Sequence, residues 1–180
     1  MGDRGRYPDA RLVAPDPAWP RRYAVLVDAL GRALGPDWAL EHVGSTSVPG
    51  LVAKPVIDIA IRIPPGVSVD DASSLLAPVG WSDAVAVGDH WAVFLLDDGV
   101  RLAIGHLFEA DRWPEAHVRL FAQWLRRHPA DRERYAELKT SLVAAGVWGE
   151  GYTDAKVGFV RGVVERARAA HGLPPVSGPL

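Results

Sequence analysis

Cysteine is absent, methionine occurs once, and only three of the 20 basic residues are lysine. Without cysteine there are no disulfides, no thiolate nucleophile and no Cys-ligated zinc, which fits a reducing compartment. An excess of either charge is also lacking. A net charge of -2 with a pI near 6.3 gives no global basic field of the kind that drives nucleic-acid binding, and Arg126-Arg127-His128 is only a local cluster. The opening MGDRGRYPDARLV has no apolar signal-like run, and no stretch approaches the length of a membrane span. The expectation is a cytoplasmic protein with neither nucleic acid nor membrane as a partner; the oligomeric state is left open.

What is present suits one compact domain: 180 residues, 48% apolar and 23% charged, with no internal repeat. The domain is placed at 11–171, with 1–10 and the Pro/Gly/Ser-rich 172–180 expected to be flexible ends. Apolar residues at Tyr23, Leu26, Val27, Leu30 and Leu34 recur at helical spacing, with Asp16 as N-cap, Pro17 at the first position and Gly35-Pro36 as the stop. Trp38–Val43 and Pro55–Ile63 read as strands, the second nearly all apolar and therefore interior. Val69–Val79 reads as a helix. Trp81–Val87, His90–Leu96 and Val100–Phe108 read as an antiparallel meander, its last turn at Asp97-Asp98-Gly99. Helices over Trp113–Arg127, Ala130–Ala145 and Thr153–His171 close the chain.

Chemistry concentrates in Glu41-His42-Val43-Gly44-Ser45-Thr46-Ser47-Val48-Pro49-Gly50 and the following Lys54-Pro55-Val56-Ile57-Asp58-Ile59-Ala60-Ile61. Backbone N–H groups of a Gly/Ser turn, with hydroxyls from Ser45, Thr46 and Ser47, suit phosphate oxygens. The strand then presents Asp58. A Mg²⁺ clamp wants a second carboxylate two residues away, where Val56 and Ala60 stand instead, so a further acid would have to come from Asp97, Asp98 or Glu109. Without one, the segment is an ordinary loop beside a structural aspartate.

EHVGSTSVPGL followed by AKPVIDI resembles the GrpB family, whose fold is similar to that of the nucleotidyltransferase superfamily. The resemblance spans about 11 to 170: the Pro15–Trp19 entry into the first helix, His106 as a strand-borne histidine, YAELK at Tyr135–Lys139 and YTDAK at Tyr152–Lys156. It implies an α+β fold, with a nucleotidyltransferase-like mixed or antiparallel sheet, flanking helices and a C-terminal helical segment. It implies a pocket in which Gly44, Ser45, Thr46, Ser47, Lys54, Tyr152 and Lys156 hold a phosphorylated small molecule. Asp58, His42 and His106 would ligate Mg²⁺, or Zn²⁺ in a His/His/Asp set, or move protons. The leading reading is metal-dependent nucleotidyl transfer to an acceptor. The alternatives are a non-catalytic protein that binds a nucleotide or other phosphorylated ligand, and a biosynthetic enzyme with a histidine-centred pocket.

Two departures mark the pocket as altered. Phe121-Ala122-Gln123-Trp124 stands where the family has Phe-Arg-Asp, and Asp89-His90-Trp91 where it carries an Arg before the middle hairpin strand. All three lysines, Lys54, Lys139 and Lys156, fall inside the family-like motifs. Lys54 is expected to face phosphate as a point charge; Lys139 and Lys156 either do the same or decorate a solvated helix face. His90, His117, His128 and His171 are assigned to the surface or to packing.

Overall fold

The computed structural model describes residues 4–9 and 11–180, with Glu150 described by its backbone alone. Residues 1–3 and 10, part of the expected flexible N-terminal end, lie outside the described residues. Five strands, β1 (Ala39–Val43), β2 (Ile57–Arg62), β3 (Val85–Val87), β4 (His90–Asp97) and β5 (Val100–Phe108), form one sheet in the order β1-β2-β5-β4-β3. β1 runs antiparallel to β2, β2 parallel to β5, and β5, β4 and β3 form the expected antiparallel meander. With helices α1 (Trp19–Leu34), α2 (Val69–Leu76), α3 (His117–Arg127), α4 (Pro129–Ala144) and α5 (Glu150–Ala170) flanking it, the fold is the mixed-sheet α+β architecture anticipated from sequence.

The period-two alternation of β2 sorts the two faces. Ile57, Ile59 and Ile61 point with Val93, Ala103 and Leu107 into a core closed by Trp19, Leu30 and Leu34 of α1 and its N-terminal turn and by Ala72 and Leu76 of α2. Each isoleucine buried there contributes about 1.5–3 kcal/mol of transfer free energy. The opposite face carries Asp58 and Ala60, with Val43 of β1 opposite Asp58 and His106 of β5 beside Ala60. Helices α3 to α5 cover that face through a second core of Phe121, Leu125, Tyr135, Val163 and Val164. Ala60 joins Val43 and Ala122 in a small cluster, so the position where a second acid would sit is packed under α3.

Element ends moved for identifiable reasons. Asp16 accepts the Ala18 N–H at 2.8 Å, as a capping residue does, but the regular helix begins at Trp19. Ser68 and Asp71 form a reciprocal capping box that starts α2. The single helix expected over 113–127 is split, because Ala116 leaves the helical region (ψ 107°) between a 3₁₀ turn at Trp113–Glu115 and α3. Only 85–87 of the strand expected at 81–87 is regular; Ser82 Oγ takes the Phe94 N–H at 3.0 Å in place of a ladder bond. α5 begins at Glu150 rather than Thr153, after Gly149 at φ 69°. In the last hairpin Asp98 and Gly99 both adopt positive φ, 46° and 72°, which is what a two-residue type I′ turn requires. Residues 172–180 lie back along α5: Glu165 accepts the Val176 N–H at 3.1 Å, and Arg161 donates to the Gly178 carbonyl at 2.6 Å. No helix among the described residues is long and apolar enough to cross a membrane.

Candidate functional site

Leaving β1, the chain turns at Gly44 (φ 66°) and enters a 3₁₀ turn over Ser45–Ser47. Gly44 passes so close to β2 that a Cβ there would stand 2.2 Å from Asp58 Oδ2. Positive φ and that approach both require glycine. The turn and Asp58 form one end of a cavity of about 290 Å³, closed by Tyr135 and Lys139 of α4 and by Tyr152 and Lys156 of α5. Among the described residues, Asp58 is the one carboxylate lining it.

All three lysines of the chain line this cavity. Lys54 Nζ sits 3.6 Å from the centroid of the Tyr7 ring and 4.9 Å from those of Trp148 and Tyr152, an aromatic cage around a cation. Lys139, 2% exposed, donates to Ser45 Oγ at 3.0 Å and to the Val52 carbonyl. Lys156 lies 4.1 Å above the Tyr152 ring. Burial, then the neighbouring Lys156, lowers Lys54 to about 7. Burial, then Lys156 and Lys54, lowers Lys139 to about 7, and burial lowers Lys156 to about 8. Asp58 opposes all three shifts. One carboxylate thus faces three ammonium groups in a space that disfavours their charge.

The residues proposed from sequence divide. Gly44, Ser45, Thr46, Lys54, Asp58, His106, Tyr152 and Lys156 come together around the cavity. Ser47 does not: its hydroxyl donates to the Gly44 carbonyl at 2.7 Å, and it lines a second cavity beside Pro15, Trp19 and His42. His42 is also turned away, because it pairs with Ile59 while Asp58 pairs with Val43, one residue out of phase. Its ring stacks on Tyr23 at 4.5 Å and its Nε2 bonds Thr46 Oγ1 at 3.0 Å, while burial lowers it to about 4. The His42/His106/Asp58 set therefore does not converge. His106 bonds Asp58 Oδ1 through Nε2 at 3.2 Å and His90 Nε2 through Nδ1 at 2.9 Å, so both ring nitrogens are engaged and it positions Asp58.

Asp97 and Asp98 end in the distal hairpin and Glu109 at the 109–113 turn, and none lines the cavity. The second acid on this sheet face is Glu41, beside Ala60, but Arg119 and Gln123 occupy its oxygens at 2.6 and 2.9 Å. Gln123 thus has a role where the family resemblance led to an expected acid. Lys139, for which the sequence left a phosphate-facing role and a solvated helix face open, lines the cavity; Tyr7 was missed as a site residue, and nothing marked it. His90 and His117, expected at the surface or in packing, are buried at 5% and 8% exposure and meet Asp89: His90 Nδ1 lies 3.1 Å from Asp89 Oδ1 and His117 Nδ1 3.2 Å from it. Asp89-His90 as a departure from the family pattern was the available signal.

Fold and site define a class: a mixed-sheet α+β protein with a lysine-lined cavity over one acid of an interior strand. Residues 9–166 match the GrpB family, described as GrpB protein, and the chain belongs to that family. It is 36% identical over 177 residues to a UPF0157 protein of Pseudomonas aeruginosa, covering 94% of this chain and 72% of that one. It is 31% identical over 159 residues to a dephospho-CoA kinase of Mycolicibacterium paratuberculosis, covering 73% of this chain but only 39% of the kinase. The crystal structure of a conserved GrpB protein from Enterococcus faecalis superposes with a TM-score of 0.77 at 24% identity, over 89% of this chain and 99% of that one.

Proposed function

We propose that this protein binds a phosphorylated small molecule, with the phosphate against the 45–47 turn and the three lysines. The convergence of every lysine in the chain, from three separate segments, carries the reading. Three amines crowded into a half-buried space repel one another and lose hydration, a cost that an anion offsets. Ser45 and Thr46 hydroxyls and the turn's backbone add neutral donors at the same end. At about 290 Å³ the cavity lies at the low end of small-molecule sites. Because one relative, matched over 39% of its length, is named dephospho-CoA kinase, dephospho-CoA is included among the ligands to test.

A two-carboxylate Mg²⁺ clamp is not what these residues make. Asp58 is one acid amid three ammonium groups, Ala60 is packed under α3, and Glu41 is held by Arg119. The lysines supply charge of the kind Mg²⁺ would otherwise bring to a phosphate, and among the described residues no second carboxylate lines the cavity beside Asp58. Titrating the protein with ATP, GTP, CoA, dephospho-CoA and unphosphorylated adenosine, with and without Mg²⁺, tests this. Saturable binding of a phosphorylated member, unchanged by Mg²⁺, absent for adenosine and at least about tenfold weaker in Lys156→Met, is the expected outcome. No binding of any phosphorylated member by folded protein overturns it.

A further inference from the structure

We infer that Asp89, His90 and His117 form a binding site for a divalent transition metal, separate from the three-lysine cavity and bordering it through His117. Each of the three residues offers one ligand atom, and these atoms all lie within 4.8 Å of one another. Asp89 Oδ1 stands 3.1 Å from His90 Nδ1 and 3.2 Å from His117 Nδ1, which matches the spacing of about 3.3 Å between neighbouring ligands held at 2.0–2.1 Å around a tetrahedral ion. Two imidazoles and one carboxylate select zinc or a neighbouring first-row ion over Mg²⁺ or Ca²⁺, which prefer oxygen.

Two features of the site ask for an ion. The first is a buried nitrogen without a hydrogen-bond partner: His117 Nδ1 lies 3.2 Å from Asp89 Oδ1, out of line for a hydrogen bond. A buried polar atom left unpaired beside a carboxylate is costly, and a cation held by both removes that cost. The side chain is 10% exposed, and that of His90 is 3% exposed.

The second is a row of contacts that runs from Asp58 Oδ1 to His106 Nε2 (3.2 Å), from His106 Nδ1 to His90 Nε2 (2.9 Å) and from His90 Nδ1 to Asp89 Oδ1 (3.1 Å). With a metal on His90 Nδ1, the His90 Nε2–H donates to His106 Nδ1 and the His106 Nε2–H to Asp58, so each of those two contacts has one donor and one acceptor. This is the outer-shell logic by which a ligating histidine is oriented through its other nitrogen, and it makes His106 the link between the metal site and the floor of the cavity. Arg112 Nη2 approaches the other oxygen of Asp89, Oδ2, at 3.7 Å, and so does not occupy the metal-facing one. Phe108 stacks on His90 at 4.8 Å and holds the ring in plane.

The test is titration of the metal-stripped protein with Zn²⁺, and with Co²⁺ followed by its visible absorption. The expected result is one ion per chain, with the intense visible bands of low-coordinate Co²⁺, and affinity at least about 100-fold weaker in both His117→Ala and Asp89→Asn. His42→Phe, on the far face of the sheet, and His128→Ala bind as the wild type does. The circular dichroism of each variant establishes that it is folded. Absence of stoichiometric binding in folded wild-type protein, or affinity that survives either ligand substitution, overturns the assignment. Because the probe is the bare ion, the result stands apart from whether a phosphorylated ligand binds.

Discussion

Lys139→Met gives the sharpest perturbation of the cavity. Lys139 is 2% exposed and burial lowers it to about 7, against about 10.4 in an unfolded chain. Between those values the unfolded chain holds the proton that the folded chain has released, so stability rises with pH across this window. The slope approaches about 1.4 kcal/mol per pH unit, and from pH 7.5 to 9.0 the amine contributes a gain of about 2 kcal/mol. Methionine fills nearly the same space without titrating, so the variant lacks that gain while Lys54 and Lys156 keep theirs. At pH 7 the loss of the bonds to Ser45 and Val52 is largely offset by removal of a buried amine, leaving a change within about 1 kcal/mol. Urea unfolding followed by tryptophan fluorescence, at pH 7.5 and 9.0 in both proteins, measures the difference. Equal pH gains in wild type and variant would show that Lys139 keeps its ordinary pKa, and would refute the picture of crowded, desolvated amines.

Other outcomes follow from single residues. Gly44→Ala combines positive φ with a Cβ 2.2 Å from Asp58 Oδ2, and should cost about 1–3 kcal/mol, read as a lowered Tm. His42→Phe keeps the stack on Tyr23 and leaves phosphorylated-ligand affinity unchanged in a binding titration; a loss of tenfold or more would return His42 to the site. Ser68→Ala removes the α2 capping box and should cost about 1 kcal/mol in urea unfolding, with ligand binding intact.

Much of the fold was legible because its signals are local. The isoleucine alternation of β2, the Asp98-Gly99 turn and the stripe on α1 each name an element without help from the rest of the chain. Asp58 was legible for the same reason, as the one acid in an apolar strand. Long-range placement was not. Whether His42 shares a face with Asp58 depends on a one-residue phase set by β1–β2 pairing after an intervening turn. That Glu41 is tied to Arg119, or that Asp89 meets His117, depends on how α3 docks, which no spacing along the chain records. Lysine scarcity was the exception: a compositional fact that pointed to a site built from three distant segments.

The central claim is that an anion stabilises ammonium groups which the cavity otherwise discharges. Its most direct test is calorimetric titration with the tightest-binding phosphorylated ligand at pH 8.0, in two buffers of different ionisation enthalpy. A phosphomonoester, with a second pKa of about 6, is already ionised at that pH, so any proton taken up must go to the protein. With Lys54 and Lys139 lowered to about 7 and Lys156 to about 8, the expected result is net uptake of between about one and two protons per ligand bound. Saturable binding with no proton uptake, or with release, would contradict it.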